Sequence, residues 1–113
     1  MSFAMPEEIA FTEEEIQERI KNSESIYRLM LPIANQHGYA LLLHGSKVRD
    51  VDMVAVPWVE EACTQELLIK AFCVAFQLSI VKFEKRPHNR YSYALYKKGW
   101  SDQFIDISVI NRI

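Results

Sequence analysis

The stretch from Leu41 to Val56 constrains this chain more than any other. Tyr39 to His44 and Val51 to Val56 are β-rich apolar runs, and only Gly45-Ser46-Lys47-Val48-Arg49-Asp50 lies between them. Two such runs joined by a short turn predict an antiparallel hairpin. Both faces are apolar outside the aspartates, which predicts a place in the interior of a sheet. Side chains alternate along a strand with a period of two, so Asp50 and Asp52 point to one face and can hold one divalent cation. A Gly-Ser pair at a strand end offers unhindered backbone N–H groups and a hydroxyl, which suits a phosphate. The combination points to metal-assisted phosphoryl chemistry on a nucleotide.

The remainder reads as helix, two strands, helix, then two or three strands. Residues 1–11, with Pro6 and paired glutamates, predict a flexible arm ahead of a single domain over 12–113. Thr12 and Glu15 form a capping box that starts a helix, and Phe11 with Ile16 fits the hydrophobic staple around it. Ile16, Ile20, Tyr27, Met30, Leu31 and Ala34 keep roughly to one face of that helix. Asn22-Ser23 interrupts the stripe and Pro32 removes a helical donor, which predicts a kink or a two-piece helix. Gly38 ends it as a left-handed cap. Thr64 caps a second helix over about Gln65 to Gln77. Ser79 to Phe83 reads as a strand, Glu84 to Asn89 as a polar loop, and Arg90 to Tyr96 with Phe104 to Ile110 as another hairpin. This is an α+β pattern, an antiparallel or mixed sheet of four to five strands with two main helices packed on it.

With 113 residues and half of them hydrophobic, the chain has material for one core and not for two. A net charge of −2 argues against strong nucleic-acid binding. The charge is uneven, however. Residues 7–18 hold six glutamates and no Lys or Arg, whereas 82–98 hold six cations against Glu84 alone, a local charge of +5. An anionic ligand therefore approaches the C-terminal half. Cys63 and Cys73 form no CxxC pair and read as free thiols in a reducing interior. No basic-then-apolar leader or membrane-length apolar run is present, which predicts a cytoplasmic protein without a membrane partner.

Asp106 interrupts the apolar strand Phe104 to Ile110. A charge buried there without a partner costs several kcal/mol, so Asp106 must meet a cation, a donor or solvent. If its strand lies beside that of Asp52, three carboxylates converge, and oxygen ligands of that kind suit Mg²⁺ or Mn²⁺. One of them can also take a proton from an attacking hydroxyl. Arg86, His88 and Arg90 form a basic loop able to grip phosphate, with a solvated loop as the plain alternative. Asp50, at a turn, can equally satisfy local backbone N–H groups, and Lys47 or Arg49 can pair with either aspartate. His37, His44 and His88 have no zinc spacing. Tyr91, Tyr93 and Tyr96 are ordinary sheet residues before they are base-stacking ones. Glu84 and Lys85 are adjacent and face opposite ways, which disfavours a metal nuclease.

A strand ending in Gly45-Ser46, then Asp50-Val51-Asp52 before apolar residues, then Asp106 on a later strand, resembles the nucleotidyltransferase fold of the DNA polymerase beta superfamily. The run His37-Gly38-Tyr39-Ala40 through Val56-Pro57-Trp58, with Arg86-Pro87-His88 and Ile105 to Val109, is also similar to small proteins of phages and prophages, which implies no activity. The superfamily resemblance implies that Gly45 and Ser46 contact nucleotide phosphate, that Asp50 and Asp52 ligate metal, and that Asp106 is the third carboxylate. Typical members place a helical turn and about ten residues between Gly-Ser and the first Asp, whereas three residues intervene here, so a helix N-terminus cannot cradle the phosphate. The leading expectation is a Mg²⁺-dependent (or Mn²⁺-dependent) protein that binds a nucleoside triphosphate at Asp50, Asp52 and Asp106. Gly45, Ser46, Lys47, Arg86, His88 and Arg90 would hold the nucleotide, whose nucleotidyl group passes to an unknown acceptor. The alternative is a non-catalytic interaction protein, such as a phage-encoded inhibitor of a host defence complex, that keeps the fold only and meets a protein partner.

Overall fold

The structure is a computed structural model that describes residues 11–97, 99 and 102–111. Helix α1 spans Glu13–Gln36, strands β1 and β2 span Tyr39–His44 and Val51–Pro57, and helix α2 spans Gln65–Phe76. Strands β3 (Ser79–Arg86), β4 (Arg90–Tyr96) and β5 (Ile105–Ile110) complete the fold. Of the expected N-terminal arm only Phe11 is described, and its ring lies under the Arg19 guanidinium at 4.4 Å.

Capping chemistry sets both helix starts. Thr12 Oγ1 accepts from Glu15 N–H at 3.1 Å while Glu15 Oε1 accepts from Thr12 N–H at 2.8 Å, so the reciprocal box is complete. Thr64 Oγ1 accepts from Leu67 N–H at 3.3 Å and opens α2. The two-piece alternative expected for the first helix does not occur. α1 is one continuous helix of 24 residues with Pro32 inside it. One missing hydrogen bond is outweighed because Met30 and Ala34, on either side of the proline, are fully buried. Ser23 does not break the stripe either, since it is itself fully buried on the core side. Gly38, at φ +88°, turns the chain out of α1 into β1. Gln77 does the same for α2 from a left-handed conformation at φ 57°.

The five strands form one mixed sheet in the order β1-β2-β5-β4-β3. β1 pairs with β2, β5 with β4 and β4 with β3, all antiparallel, while β2 and β5 run parallel. The hairpins expected from the sequence are thus present. The interior position expected for both β1 and β2 holds only for β2. β1 is an edge strand with Leu42 55% exposed, because apolarity marks burial but not strand order. The expected polar loop shrinks to Pro87–Asn89, where His88 and Asn89 both adopt positive φ, and β3 runs on to Arg86. Its polar residues do not end it, because an edge strand can turn charged side chains to solvent.

Both helices pack on one face of the sheet. Ile26, Met30 and Ala34 of α1 and Leu68, Ile69 and Phe72 of α2 meet Leu41, Val51, Met53, Ala55, Tyr93, Leu95, Ile105, Ile107 and Val109. Strand alternation sends the intervening residues of β2 and β5, Asp52 and Val54, Asp106 and Ser108, to the opposite face, which neither helix covers.

Candidate active site on the open face of the sheet

Register turns the open face into transverse rows. His44 pairs with Asp52, Asp52 with Asp106, Asp106 with Ala94, and Ala94 with Lys82. One row of side chains therefore reads His44, Asp52, Asp106, Ala94, Lys82 across all five strands. The next reads Leu42, Val54, Ser108, Ser92, Glu84. Further along, Arg86 pairs with Arg90 and Arg90 with Ile110. A cleft of about 340 Å³ follows this pattern and is lined by Asp52, Asp106, Lys82, Arg86 and Arg90 among others.

Asp52 and Asp106 both line the cleft. Neighbouring strands lie about 4.8 Å apart, so two carboxylates in register on parallel strands stand side by side. Partial burial raises the Asp52 carboxyl above its ordinary range; His44 opposes that shift and Asp50 adds to it. The Asp106 carboxyl is also raised, first by desolvation on the cleft floor, then by the charges of Asp50 and Asp52, with Lys82 pulling the other way. Asp50 precedes β2 rather than lying in it, and its Oδ1 accepts from Phe104 N–H at a long 3.4 Å. The charges of Asp50 and Asp52 thus both reach Asp106, while the convergence of all three carboxylates expected from adjacent strands is not found among the described residues.

Among the described residues, no three or more His, Cys, Asp or Glu side chains are gathered as a ready metal-ligand set. The donor chemistry nonetheless fits a hard divalent cation. Two oxygen-only groups share a row, and burial and mutual repulsion disfavour their charged forms, which a cation between them would reverse.

Gly45 has φ +80°, and a Cβ on it would lie 2.6 Å from Asp52 Oδ2. The Gly45 backbone thus rests against the carboxylate, as only glycine permits. Beside it, Ser46 Oγ accepts from Val48 N–H at 3.3 Å. The segment from Gly45 to Asp50 contains no helical turn.

The other expected site residues separate into two groups. Arg86 and Arg90 line the carboxylate cleft. Lys47 turns away and pairs with Glu24 of α1 at 3.4 Å, and His88 lines a different depression with Pro87 and Ile110. Lys82 and Glu84 belong to the cleft although the sequence reading did not single them out as site residues. Glu84 pairs with Arg86 at 2.8 Å and with Lys82 at 3.8 Å. The period-two series Lys82, Glu84, Arg86 was the available signal, concealed because Glu84 onward read as loop. The tyrosines are occupied elsewhere, Tyr91 and Tyr93 against Phe83 and Tyr96 against Phe104. Cys63 and Cys73 are free, half-buried, and pushed up in pKa by desolvation. Among the described residues, no helix is long and apolar enough to cross a membrane.

No family model matches the chain, and no curated protein matches it. Solved structures do. A cytoplasmic RNA terminal U-transferase superposes with a TM-score of 0.62 at 16% identity, over 84% of this chain and 31% of that one. The fold is nucleotidyltransferase-like. A mutant of the Cid1 poly(U) polymerase bound to MgATP gives 0.60 at 15% identity, over 90% of this chain and 34% of that one. A further Cid1 structure, of an RNA terminal uridylyl transferase, gives 0.56 at 15% identity, over 90% and 33%. The chain spans about one third of the length of these structural neighbours.

Proposed function

We propose that this protein binds a divalent cation and a nucleoside triphosphate on the open face of its sheet and transfers the nucleotidyl group to an acceptor hydroxyl. The observation that carries this reading is the in-register pair Asp52 and Asp106, with Lys82, Arg86 and Arg90 lining the β3–β4 side of the same cleft. The nucleotidyltransferase-like fold supports it, as does the MgATP bound to one structural neighbour.

In this reading Asp52 and Asp106, with Asp50, would hold Mg²⁺ or Mn²⁺. The bound cation supplies charge neutralisation at the phosphates. The chain's own residues do the rest. Gly45 and Ser46 present backbone N–H groups beside Asp52, and Lys82 stands in the carboxylate row. Arg86 and Arg90 lie two rows away, roughly 13 Å along the strands, within the length of an extended nucleotide and its side-chain contacts. Lys47 and His88 have no part in it. A carboxylate that is raised in pKa and next to the reacting hydroxyl is suited to accept its proton. The reaction is in-line attack on the α-phosphate with pyrophosphate leaving.

Calorimetric titration of Mg²⁺-ATP and Mg²⁺-UTP into the wild type and Asp52→Asn tests the reading. Wild type should bind at least one of them and Asp52→Asn should bind at least tenfold more weakly, on the order of one lost charged ligand. Absence of binding by wild type, or equal binding by both proteins, would refute it.

A further inference from the structure

The loop between β1 and β2 is too short to contain a helix, yet its backbone is held at three successive carbonyls. Ser23 Oγ donates to Lys47 O at 2.8 Å. Gln103 Nε2 lies 3.2 Å from each of Ser23 Oγ, Lys47 O and Val48 O, and donates into that group. Arg19 Nε donates to Val48 O, and its Nη2 reaches Arg49 O at 3.4 Å. Asn22 Nδ2 donates to Gln103 Oε1 at 2.6 Å and fixes which end of the amide faces the loop. Arg19 is anchored in turn by Asp102 at 2.7 Å.

Two features make this more than a well-made turn. Ser23 is fully buried and Gln103 is 4% exposed, so their hydrogen bonds form away from competing water and a missing donor is costly. Lys47 also adopts φ 65°, a conformation that L side chains avoid and that persists only where the surroundings impose it. Gln103 is also one residue from Phe104, whose N–H reaches Asp50 and whose carbonyl accepts from Val51 N–H at 2.9 Å. The same short segment therefore touches the loop, Asp50 and the start of β5.

We infer that Gln103 and Ser23 are positioning residues that hold the Lys47–Val48 backbone and, through it, the adjoining Gly45-Ser46 in place for nucleotide phosphate, doing by side-chain hydrogen bonds what the missing helical turn cannot. The inference rests on the function proposed above and divides its site in two. The backbones of Asp52 and Asp106 are placed by strand register, although Gly45 abuts the Asp52 carboxylate. The Lys47–Arg49 backbone, which follows directly on Gly45-Ser46, is held by the network. Loosening the network therefore weakens nucleotide binding far more than cation binding, since two of the three carboxylates lie in strands outside the loop.

Two variants test this. Gln103→Glu keeps size and the acceptor for Asn22 but removes the Nε2 donors, and Ser23→Ala removes the hydroxyl with little change of volume. Circular dichroism confirms folding, Mn²⁺ binding is read by electron paramagnetic resonance, and Mg²⁺-ATP and Mg²⁺-UTP binding by calorimetry. Amide hydrogen exchange follows residues 45–50 against β2 and β5. Each variant should lose about tenfold in nucleotide affinity, change Mn²⁺ affinity less than about twofold, and exchange faster only in the loop. If wild type binds nucleotide and both variants bind it equally well, or if Mn²⁺ affinity falls in parallel, the positioning role is overturned. If wild type binds no nucleotide, the function proposed above fails, and the positioning role fails with it.

Discussion

At the scale of the residue, the proposed site turns on which side chains share a row. Asp52 and Asp106 are 54 positions apart in the chain and adjacent in the sheet. Asp52 was legible as a candidate from its alternation with Asp50, and Asp106 from the oddity of a carboxylate in an apolar strand. Lys82 was not, because nothing near it in sequence shows that β3 reaches the carboxylate row through β4. The contact between Gly45 and Asp52 was likewise invisible, since it depends on how the turn folds back over the strand. Gly45→Ala should reveal it. A Cβ there is strained at φ +80° and meets Asp52 Oδ2 at 2.6 Å. The carboxylate is the movable partner, so the variant should lose about 1–2 kcal/mol in urea unfolding and also bind Mn²⁺ more weakly. Unchanged Mn²⁺ affinity would show that the glycine does not set the carboxylate's position.

At the scale of the element, local signals were read well where a local interaction decides the outcome. The capping box at Thr12, the cap at Thr64 and the left-handed Gly38 all form as their residue types dictate. Packing overrides propensity at Pro32, which does not divide α1 in two, and at Ser23, whose burial follows from a hydrogen-bonding role. Gly38 joins the two kinds of information. Its carbonyl accepts from Trp58 N–H at 3.0 Å, and a Cβ on it would sit 2.7 Å from Ala62 Cα. The β2–α2 connection is thus packed directly on the end of α1, backbone against backbone. Gly38→Ala combines a positive-φ penalty with an overlap that no side-chain rotation relieves, and should destabilise by about 3 kcal/mol in urea denaturation. A loss below about 1 kcal/mol would mean that the connection shifts freely.

At the scale of the whole molecule, both helices cover one face of the sheet and leave the other open. That asymmetry gives the fold a pH signature. The folded-state carboxyls of Asp52 and Asp106 are raised above their unfolded values, so the folded protein binds protons more tightly than the unfolded one. Without metal, these two groups favour the folded state more as pH falls from neutral through the raised values toward the ordinary carboxylate range. Asp106→Asn should therefore melt a few degrees above wild type at neutral pH, and the gap should close across that acidic window. A constant gap at all pH values would show that burial and the neighbouring carboxylates do not raise the Asp106 carboxyl. The sequence by itself determined the α+β composition, the helix starts, both hairpins and the candidate acidic residues, because each depends on alternation, capping or local charge. Only the tertiary structure decided that β5 enters the sheet parallel to β2, between it and β4. That strand order is fixed by burial of Val51, Met53, Ile105 and Ile107 against the helices, and the same register places Asp52 beside Asp106 on the opposite face.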